Sequence, residues 1–295
     1  MKGRTVRTIQ VSSQPVRCVA YSPDGRLLAT GDEEHQLRLW TVPAGDEVAR
    51  FPADHGTVEA VAFHPSSGAV AAGFGSGDLT LWRPDSDELA TRKTPHPGGV
   101  KALAWPAGGL LVSAGWDRTV QFHSPTLGTT DGRRTSEYPI TCLATCGAPS
   151  RLAFADFRGN IGLFTGSARP AQVAGTVGVF ALAAASVLLA AGDASGAIRL
   201  FRLSAGTTDP PQPAGTLAGH DWTVYGLGFT PTGRLLVSGS ADETVRVWDV
   251  ATGRTLETFR WHRRWVTCLA VAPDGMTAAA GSADGTVVVF DLADL

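Results

Sequence analysis

Two parts of the sequence carry residue types that could do chemistry. His220, Ser238 and Asp242 are the three residue types of a nucleophilic catalytic triad. Residues 259–268, FRWHRRWVTC, interleave three arginines with two tryptophans and a histidine, and basic residues among aromatic ones are typical of nucleic-acid surfaces. What either group can do depends on the elements that position it.

The composition describes a near-neutral globular protein. The 295 residues include 25 basic and 27 acidic side chains, so the net charge of −2 offers no global argument for a polyanionic partner. Apolar residues make up 43% of the sequence, and the 35 glycines and 18 prolines predict many tight turns. We find no secretion signal, no apolar run long enough for a membrane helix and no CxxC pair among four cysteines. These features predict a reduced, cytoplasmic protein without a membrane partner.

The sequence repeats itself. Strand-like segments such as VRCVAYSPDGRLLATG and VYGLGFTPTGRLLVSG recur at spacings of 39 to 45 residues, each with an internal turn. Each segment opens on a β-branched residue, here called the anchor of its repeat. The anchors are Val16, Val58, Val100, Ile140, Val179, Val224 and Val266. Each repeat then closes on an alternating strand that ends in an aromatic residue, such as LRLW or VRVW. Seven such units at this period predict a β-propeller.

Repeat six resembles the WD-repeat family. Residues 219–249, GHDWTVYGLGFTPTGRLLVSGSADETVRVWD, contain the Gly-His opening, an Asp before the third strand and the closing Trp-Asp. The resemblance extends over essentially the whole sequence, although repeats four and five are degenerate. It implies an all-β, seven-bladed propeller of four-stranded antiparallel blades that forms one domain over residues 1–295. The N-terminal segment from Thr5 to Val11 is expected to supply the outer strand of blade seven, which closes the ring and completes the propeller.

The same resemblance gives the triad a structural interpretation. In WD-repeat blades, the positions of His220, Ser238 and Asp242 form a buried hydrogen-bond network with the strand-end tryptophan, here Trp248. A catalytic serine would also need oxyanion donors, which the sequence does not mark. Other repeats depart from the pattern. Repeat three has His123 in place of the tryptophan, and repeat seven keeps His262 but has Ala280 in place of the serine.

Fold analogy places a partner site on the loops that enter the first strands and those between the second and third strands. Most residues predicted there are small or polar. Six others are candidates for a binding surface because of their size or charge: Glu33, Trp116, Phe157, Arg263, Arg264 and Trp265. Arg263 or Arg264 could pair with the carboxylates from Asp32 to Glu34 across the ring closure, and the sequence leaves open whether the loop from Arg260 to Arg264 is neutralised in this way.

These observations predict a non-enzymatic scaffold that binds a protein or peptide partner on this loop-rich face. No metal-ligand spacing and no cofactor motif is present, so we expect neither cofactor nor metal. Two alternatives stay open: a propeller enzyme, hydrolase or lyase, with a site at the channel mouth, and nucleic-acid binding through the arginine-rich loop. The partner's identity and the oligomeric state are not set by the sequence.

Overall fold

Strands account for all regular structure in the described part of the protein. The structure, a computed structural model, describes residues 6–52, 55–86, 88–106, 109–124, 127, 130–146, 151–164, 171–173, 177–204, 209–293 and 295. Within these ranges 28 strands form seven four-stranded antiparallel sheets. The predicted fold class is therefore confirmed.

Each of the first six blades consists of four consecutive strands, ordered from the innermost to the outermost. Blade one contains β2 (Val16–Tyr21), β3 (Leu27–Asp32), β4 (Gln36–Thr41) and β5 (Glu47–Pro52). Blade two contains β6 (Val58–Phe63), β7 (Val70–Phe74), β8 (Leu79–Arg83) and β9 (Glu88–Arg92). Blade three contains β10 (Val100–Ala104), β11 (Leu111–Gly115), β12 (Thr119–His123) and β13 (Thr130–Thr135).

The second half of the ring repeats this order. Blade four contains β14 (Ile140–Cys146), β15 (Arg151–Asp156), β16 (Ile161–Phe164) and β17 (Ala171–Val173). Blade five contains β18 (Val179–Ala185), β19 (Leu188–Asp193), β20 (Ile198–Arg202) and β21 (Gln212–Leu217). Blade six contains β22 (Val224–Phe229), β23 (Leu235–Ser240), β24 (Val245–Asp249) and β25 (Arg254–Phe259).

Blade seven combines both ends of the described sequence. Its strands β26 (Val266–Val271), β27 (Thr277–Ser282) and β28 (Thr286–Asp291) are followed outward by β1 (Val6–Gln10). Strand β1 pairs antiparallel with β28, and Val6 faces Phe290. Each innermost strand contacts that of the next blade, and β26 contacts β2, so the ring is closed. Of the segment predicted to close it, Thr5 lies outside the described residues.

The anchors are buried between neighbouring blades, and each begins an innermost strand. Val58 belongs to the same apolar cluster as Leu37 of blade one and Trp82 of blade two. Close approach requires glycine at the end of the second strand, because a Cβ on Gly31 would clash with Val58 and one on Gly73 would clash with Val100. Gly192, Gly239 and Gly281 approach the next anchor in the same way, whereas blades three and four have Ala114 and Ala155 at this position. The glycine is therefore a packing requirement in five of the seven blades.

One hydrogen bond ties together two loops at the same end of every blade. The first residue after the second strand donates its N–H to the carbonyl of the residue before the anchor, at 2.9–3.2 Å. The donors are Glu33, Gly75, Trp116, Phe157, Ala194, Ala241 and Ala283, and the acceptors are Pro15, Thr57, Gly99, Pro139, Gly178, Thr223 and Trp265. We call the surface that these two sets of loops form the top face.

Candidate functional site

Every innermost strand has a β-bulge at its second residue. In each blade the pairing with the second strand passes from the anchor to the residue two positions later, and the residue between them is skipped. The seven skipped residues are Arg17, Glu59, Lys101, Thr141, Phe180, Tyr225 and Thr267. A bulge changes the direction of the side chain at the extra residue, so we call these seven positions the bulge ring.

The bulge ring surrounds a cavity on the axis of the propeller. All seven of its members line this cavity, which has a volume of about 520 Å³. Trp116 and Trp265 reach it from the top face, and Cys18, Cys142 and Cys268 line it from the strands. Every blade therefore contributes its bulge-ring residue to the lining of this cavity, which we call the mouth of the central channel.

Five aromatic rings make a continuous arc across blades three to seven, which we call the aromatic arc. Trp116 contacts Phe157 at 5.8 Å between ring centroids, and Phe157 contacts Phe180 edge-on at 6.0 Å. Phe180 then contacts Tyr225 at 5.7 Å. Tyr225 stacks on Trp265 at 6.4 Å. These separations are those of favourable aromatic pairs, so each ring helps to hold the next in place.

Much of the aromatic arc faces solvent. Trp116, Phe157 and Trp265 are 39%, 47% and 49% exposed, whereas Phe180 and Tyr225 are half-buried between them. Exposed aromatic residues gathered in one patch are typical of a protein-binding surface. Trp222, at 58% exposure, lies in the loop that enters blade six and does not line the cavity.

The opposite side of the mouth, across blades one to three, is charged. Lys101 Nζ donates to Glu59 Oε2 at 2.7 Å, and an Arg17 Nη donates to the same oxygen at 3.3 Å. The other Arg17 Nη lies 3.7 Å from Glu33 Oε1 on the rim. We call Arg17, Glu33, Glu59 and Lys101 the ion cluster. It meets the aromatic arc at Lys101, whose Nζ lies 5.8 Å from the Trp116 ring centroid, within the range of a cation–π contact.

The structure distributes the six predicted binding residues over three environments. Trp116, Phe157 and Trp265 belong to the aromatic arc, and Glu33 belongs to the ion cluster. The remaining two, Arg263 and Arg264, are exposed on the top face and do not line the cavity. Only their backbones make described hydrogen bonds, Arg263 N–H to Asp284 and Arg264 C=O from Ser282.

The described residues show no pairing of the arginine-rich loop with the carboxylates from Asp32 to Glu34, a question that the sequence left open. Arg38 donates to Asp32 Oδ2 at 2.6 Å and also lies 3.7 Å from Glu34. Glu34 accepts a hydrogen bond from the Ser13 hydroxyl as well. These carboxylates are occupied within blade one, because the side chain of Arg38 is buried beside them.

Sequence reasoning missed the bulge ring. It considered the residue before each anchor and the residue after each second strand, but not the residue that follows the anchor. A signal was available, because that position holds Arg, Glu, Lys, Phe or Tyr in five of the seven repeats. Strict alternation along a strand gave no reason to expect these side chains at the channel mouth.

The four predicted network residues of blade six are joined by consecutive hydrogen bonds. His220 Nδ1 lies 2.8 Å from Asp242 Oδ2, and His220 Nε2 lies 2.7 Å from Ser238 Oγ. Trp248 Nε1 donates to the same Ser238 oxygen at 2.8 Å. Since an ionised carboxylate only accepts, Nδ1 of His220 donates to Asp242; in the neutral imidazole, Ser238 then donates to Nε2 while it accepts from Trp248.

This network lowers the pKa of the Asp242 carboxyl group and encloses the Ser238 hydroxyl between His220 and Trp248. Burial opposes ionisation of Asp242, but hydrogen bonds from His220 and Thr244 outweigh it and hold the pKa of Asp242 well below its ordinary value. Ser238 is fully buried with both partners in place. The arrangement fastens the loop before blade six to its sheet.

Blades three and seven vary this network. In blade three, Ser113 Oγ lies 2.6 Å from Nε2 of both His96 and His123, so His123 takes the tryptophan position. In blade seven, His262 Nδ1 lies 3.2 Å from Thr286 Oγ1, but its buried Nε2 has no hydrogen-bond partner in the described residues.

Three cysteine thiols line the mouth of the channel. Burial raises the pKa of Cys142 and Cys268 to about 12 and that of Cys18 well above its ordinary value, so these thiols stay protonated. No group of three or more His, Cys, Asp or Glu residues that could hold a metal ion occurs in the part of the protein described. That part also contains no helix with the length and apolarity to cross a membrane.

Comparison with known proteins decides the family. The family model described as WD domain, G-beta repeat matches residues 3–41, 88–124, 211–249 and 253–291, together more than half of the sequence. The chain belongs to this WD40 family. Its propeller is similar to that in the crystal structure of RRP9 WD40 repeats, with a TM-score of 0.85 over 97% of both chains. At 18% identity that likeness shows the fold alone.

Similarity of this WD40 protein to curated relatives is confined to short segments. It is 37% identical over 70 residues to Polyadenylation factor subunit 2 of Neurospora crassa, which covers 24% of this chain and 10% of the relative. It is 46% identical over 59 residues to Nuclear distribution protein PAC1 of Fusarium vanettenii, which covers 17% of this chain and 13% of the relative. The matched segments thus span little more than a tenth of these relatives.

Proposed function

We propose that this protein is a non-enzymatic interaction scaffold that binds a peptide or protein segment across the mouth of its channel. The observation that carries the proposal is the aromatic arc from Trp116 to Trp265. Its rings contact one another in sequence, and three of them are 39–49% exposed. A surface already ordered in this way loses little conformational entropy when a partner covers it.

Two further observations support a scaffold. WD40 propellers generally act as non-enzymatic scaffolds, and two of the matched relatives are by name subunits, of a polyadenylation factor and of a translation initiation factor. The four cysteines are free and buried, which is typical of a reducing compartment, and we propose the cytoplasm as the place of action.

The experiment compares two tryptophans of the same face. We expect Trp265→Ala to abolish capture of specific partners from cell extract, because it removes an end of the aromatic arc. The matched control is Trp222→Ala, which removes a more exposed tryptophan outside the arc and should leave capture unchanged. Thermal unfolding of both variants checks that the fold is intact.

The outcomes separate the proposal from its alternatives. Equal loss in both variants, or loss in neither, contradicts the aromatic arc as the binding surface. Capture of nucleic acid that weakens steeply with salt and depends on Arg263 and Arg264 would instead favour the nucleic-acid alternative.

A further inference from the structure

The ion cluster has hydrogen-bond donors to spare at the cavity. Lys101 carries three N–H donors and Arg17 carries five. In the described residues, each makes one side-chain hydrogen bond, and both go to Glu59 Oε2. The side chains of Lys101 and Arg17 are 21% and 34% exposed, so they are partly dehydrated without being fully partnered. This combination favours an additional acceptor at the channel mouth.

The charge of the bulge ring also favours an anionic ligand in the cavity. Its charged members are Arg17, Lys101 and Glu59, so two cations share one carboxylate. Glu33 offers only a rim contact at 3.7 Å, with its own side chain 39% exposed. An anion that entered the cavity would complete the partnering of both cations. A second cation would have to compete with them for Glu59.

The position of Lys101 joins this anion preference to the aromatic arc. Its Nζ lies 5.8 Å from the Trp116 ring centroid while it donates to Glu59. A ligand that reaches Lys101 with an acceptor group therefore places its neighbouring atoms beside Trp116. From there the arc continues to Phe157 and Phe180 without a gap between ring contacts.

We propose that the channel mouth binds a peptide segment in which a carboxylate stands next to a large apolar side chain. The carboxylate, from Asp, Glu or the carboxyl terminus of the peptide, accepts from Lys101 and Arg17, and the apolar side chain packs on the aromatic arc. This inference rests on the proposed function and names the chemistry of its partner.

The test uses short synthetic peptides with a fluorescent label, read by anisotropy. The probe has one Glu-Phe pair in a Gly/Ser background and an amidated carboxyl terminus. Matched probes replace the pair by Gln-Phe, Lys-Phe or Glu-Ala, and one more ends in Phe with a free carboxylate and no Glu. We expect Glu-Phe to bind about tenfold more tightly than Gln-Phe or Glu-Ala, and Lys-Phe to bind most weakly.

Three variants of the protein report on the cations. Lys101→Met keeps most of the length of the side chain but removes its charge, and it should weaken Glu-Phe binding about tenfold. Glu59→Gln should tighten it, because the negative charge that both cations share is removed while the side chain keeps its size. The matched control is Lys93→Met, at an exposed lysine that does not line the cavity, and it should change nothing. Thermal unfolding confirms that each variant is folded.

Each result decides the inference. Equal binding of Glu-Phe and Gln-Phe, preference for Lys-Phe, no binding of any probe, or indifference to Lys101→Met overturns it. If Trp265→Ala still abolishes partner capture in that case, the proposed scaffold function stands without the carboxylate. Binding of the probe with the free terminal carboxylate but not of Glu-Phe assigns the carboxylate to a peptide terminus, and the reverse assigns it to a side chain.

Discussion

Blades six and seven have a buried histidine at the same position, but its hydrogen-bond partners differ between the two blades. In blade six, Ser238 connects His220 to Trp248. In blade seven, Ala280 and Phe290 replace the serine and the tryptophan, and both are fully buried apolar residues. Because the hydroxyl and the indole are both absent, only one atom of this network, Nε2 of His262, is buried without a hydrogen-bond partner in the described residues. Replacing both the serine and the tryptophan should therefore destabilise a blade less than replacing the serine alone, which leaves two polar groups unpaired.

Blade three shows that the donor can be exchanged while the serine is kept. His123 Nε2 lies as close to Ser113 as His96 Nε2 does, at 2.6 Å. The central hydroxyl is therefore the part of the network on which the other members depend. Three predictions test this view of the blades.

The largest effect is expected for Ser238→Ala. It leaves the buried Nε2 of His220 and Nε1 of Trp248 without a partner, which should lower the free energy of unfolding by about 2–4 kcal/mol. Chemical denaturation measures this loss. Ser67→Ala, at an exposed loop serine, is the control and should have no effect. A loss in Ser238→Ala as small as that of the control would contradict the central role of the hydroxyl.

A smaller effect of opposite sign is expected for Ala280→Ser. The new hydroxyl can donate to His262 Nε2, and the free energy of unfolding should rise by about 1 kcal/mol. Ala279→Ser is the control, because Ala279 is buried on the other face of the same strand, in the apolar cluster with Val16 and Trp40. There an unpartnered hydroxyl should destabilise the protein by about 1–3 kcal/mol. Destabilisation by both variants would show that blade seven does not accept the missing hydroxyl.

The smallest difference between the two blades is expected on their carboxylate side. Burial opposes ionisation of Asp284, but His262 beside it and hydrogen bonds from Thr286 and the Arg263 backbone outweigh burial and lower its pKa. The pKa of Asp242 is lowered in the same way. A carboxyl group with a lowered folded-state pKa stabilises the protein above its unfolded-state pKa, and this stabilisation is lost as the pH falls.

Wild-type stability should therefore decrease as the pH falls below the ordinary aspartate value of 3.8. Asp242→Asn and Asp284→Asn should each reduce this acid dependence by a similar amount. Denaturation curves over a series of acidic pH values measure it. A much larger change in one blade would show that the carboxylate side differs too.

Much of the fold follows from the sequence because packing repeats along it. Anchors such as Val16 and Val224 begin the innermost strands, and in five blades a glycine near the end of the second strand leaves room for the next anchor. The aromatic residues Trp116, Phe157 and Trp265 were predicted on the top face because they occupy fixed places in the repeat. These features are local in sequence or recur at one period, so they can be predicted from a single sequence.

The bulge ring and the arginine pairing were harder to foresee for two different physical reasons. A bulge shifts the register by one residue, so alternation assigns Phe180 and Tyr225 to the wrong surroundings. The partner of Asp32 depends on which of several nearby cations is buried with it. Arg38, six residues further along, occupies that place, and no spacing rule distinguishes it from Arg263.

The bulge ring also has few hydrogen bonds to the backbone of the propeller. Because the pairing of the first two strands skips its residues, most of them can change without disturbing a cross-strand pair or an anchor contact. Thr141 and Thr267 are exceptions, since their hydroxyls donate to backbone carbonyls of their own and neighbouring blades. The other five side chains contact one another and the rim of the channel, so a substitution there would change the mouth and leave the strand pairing intact.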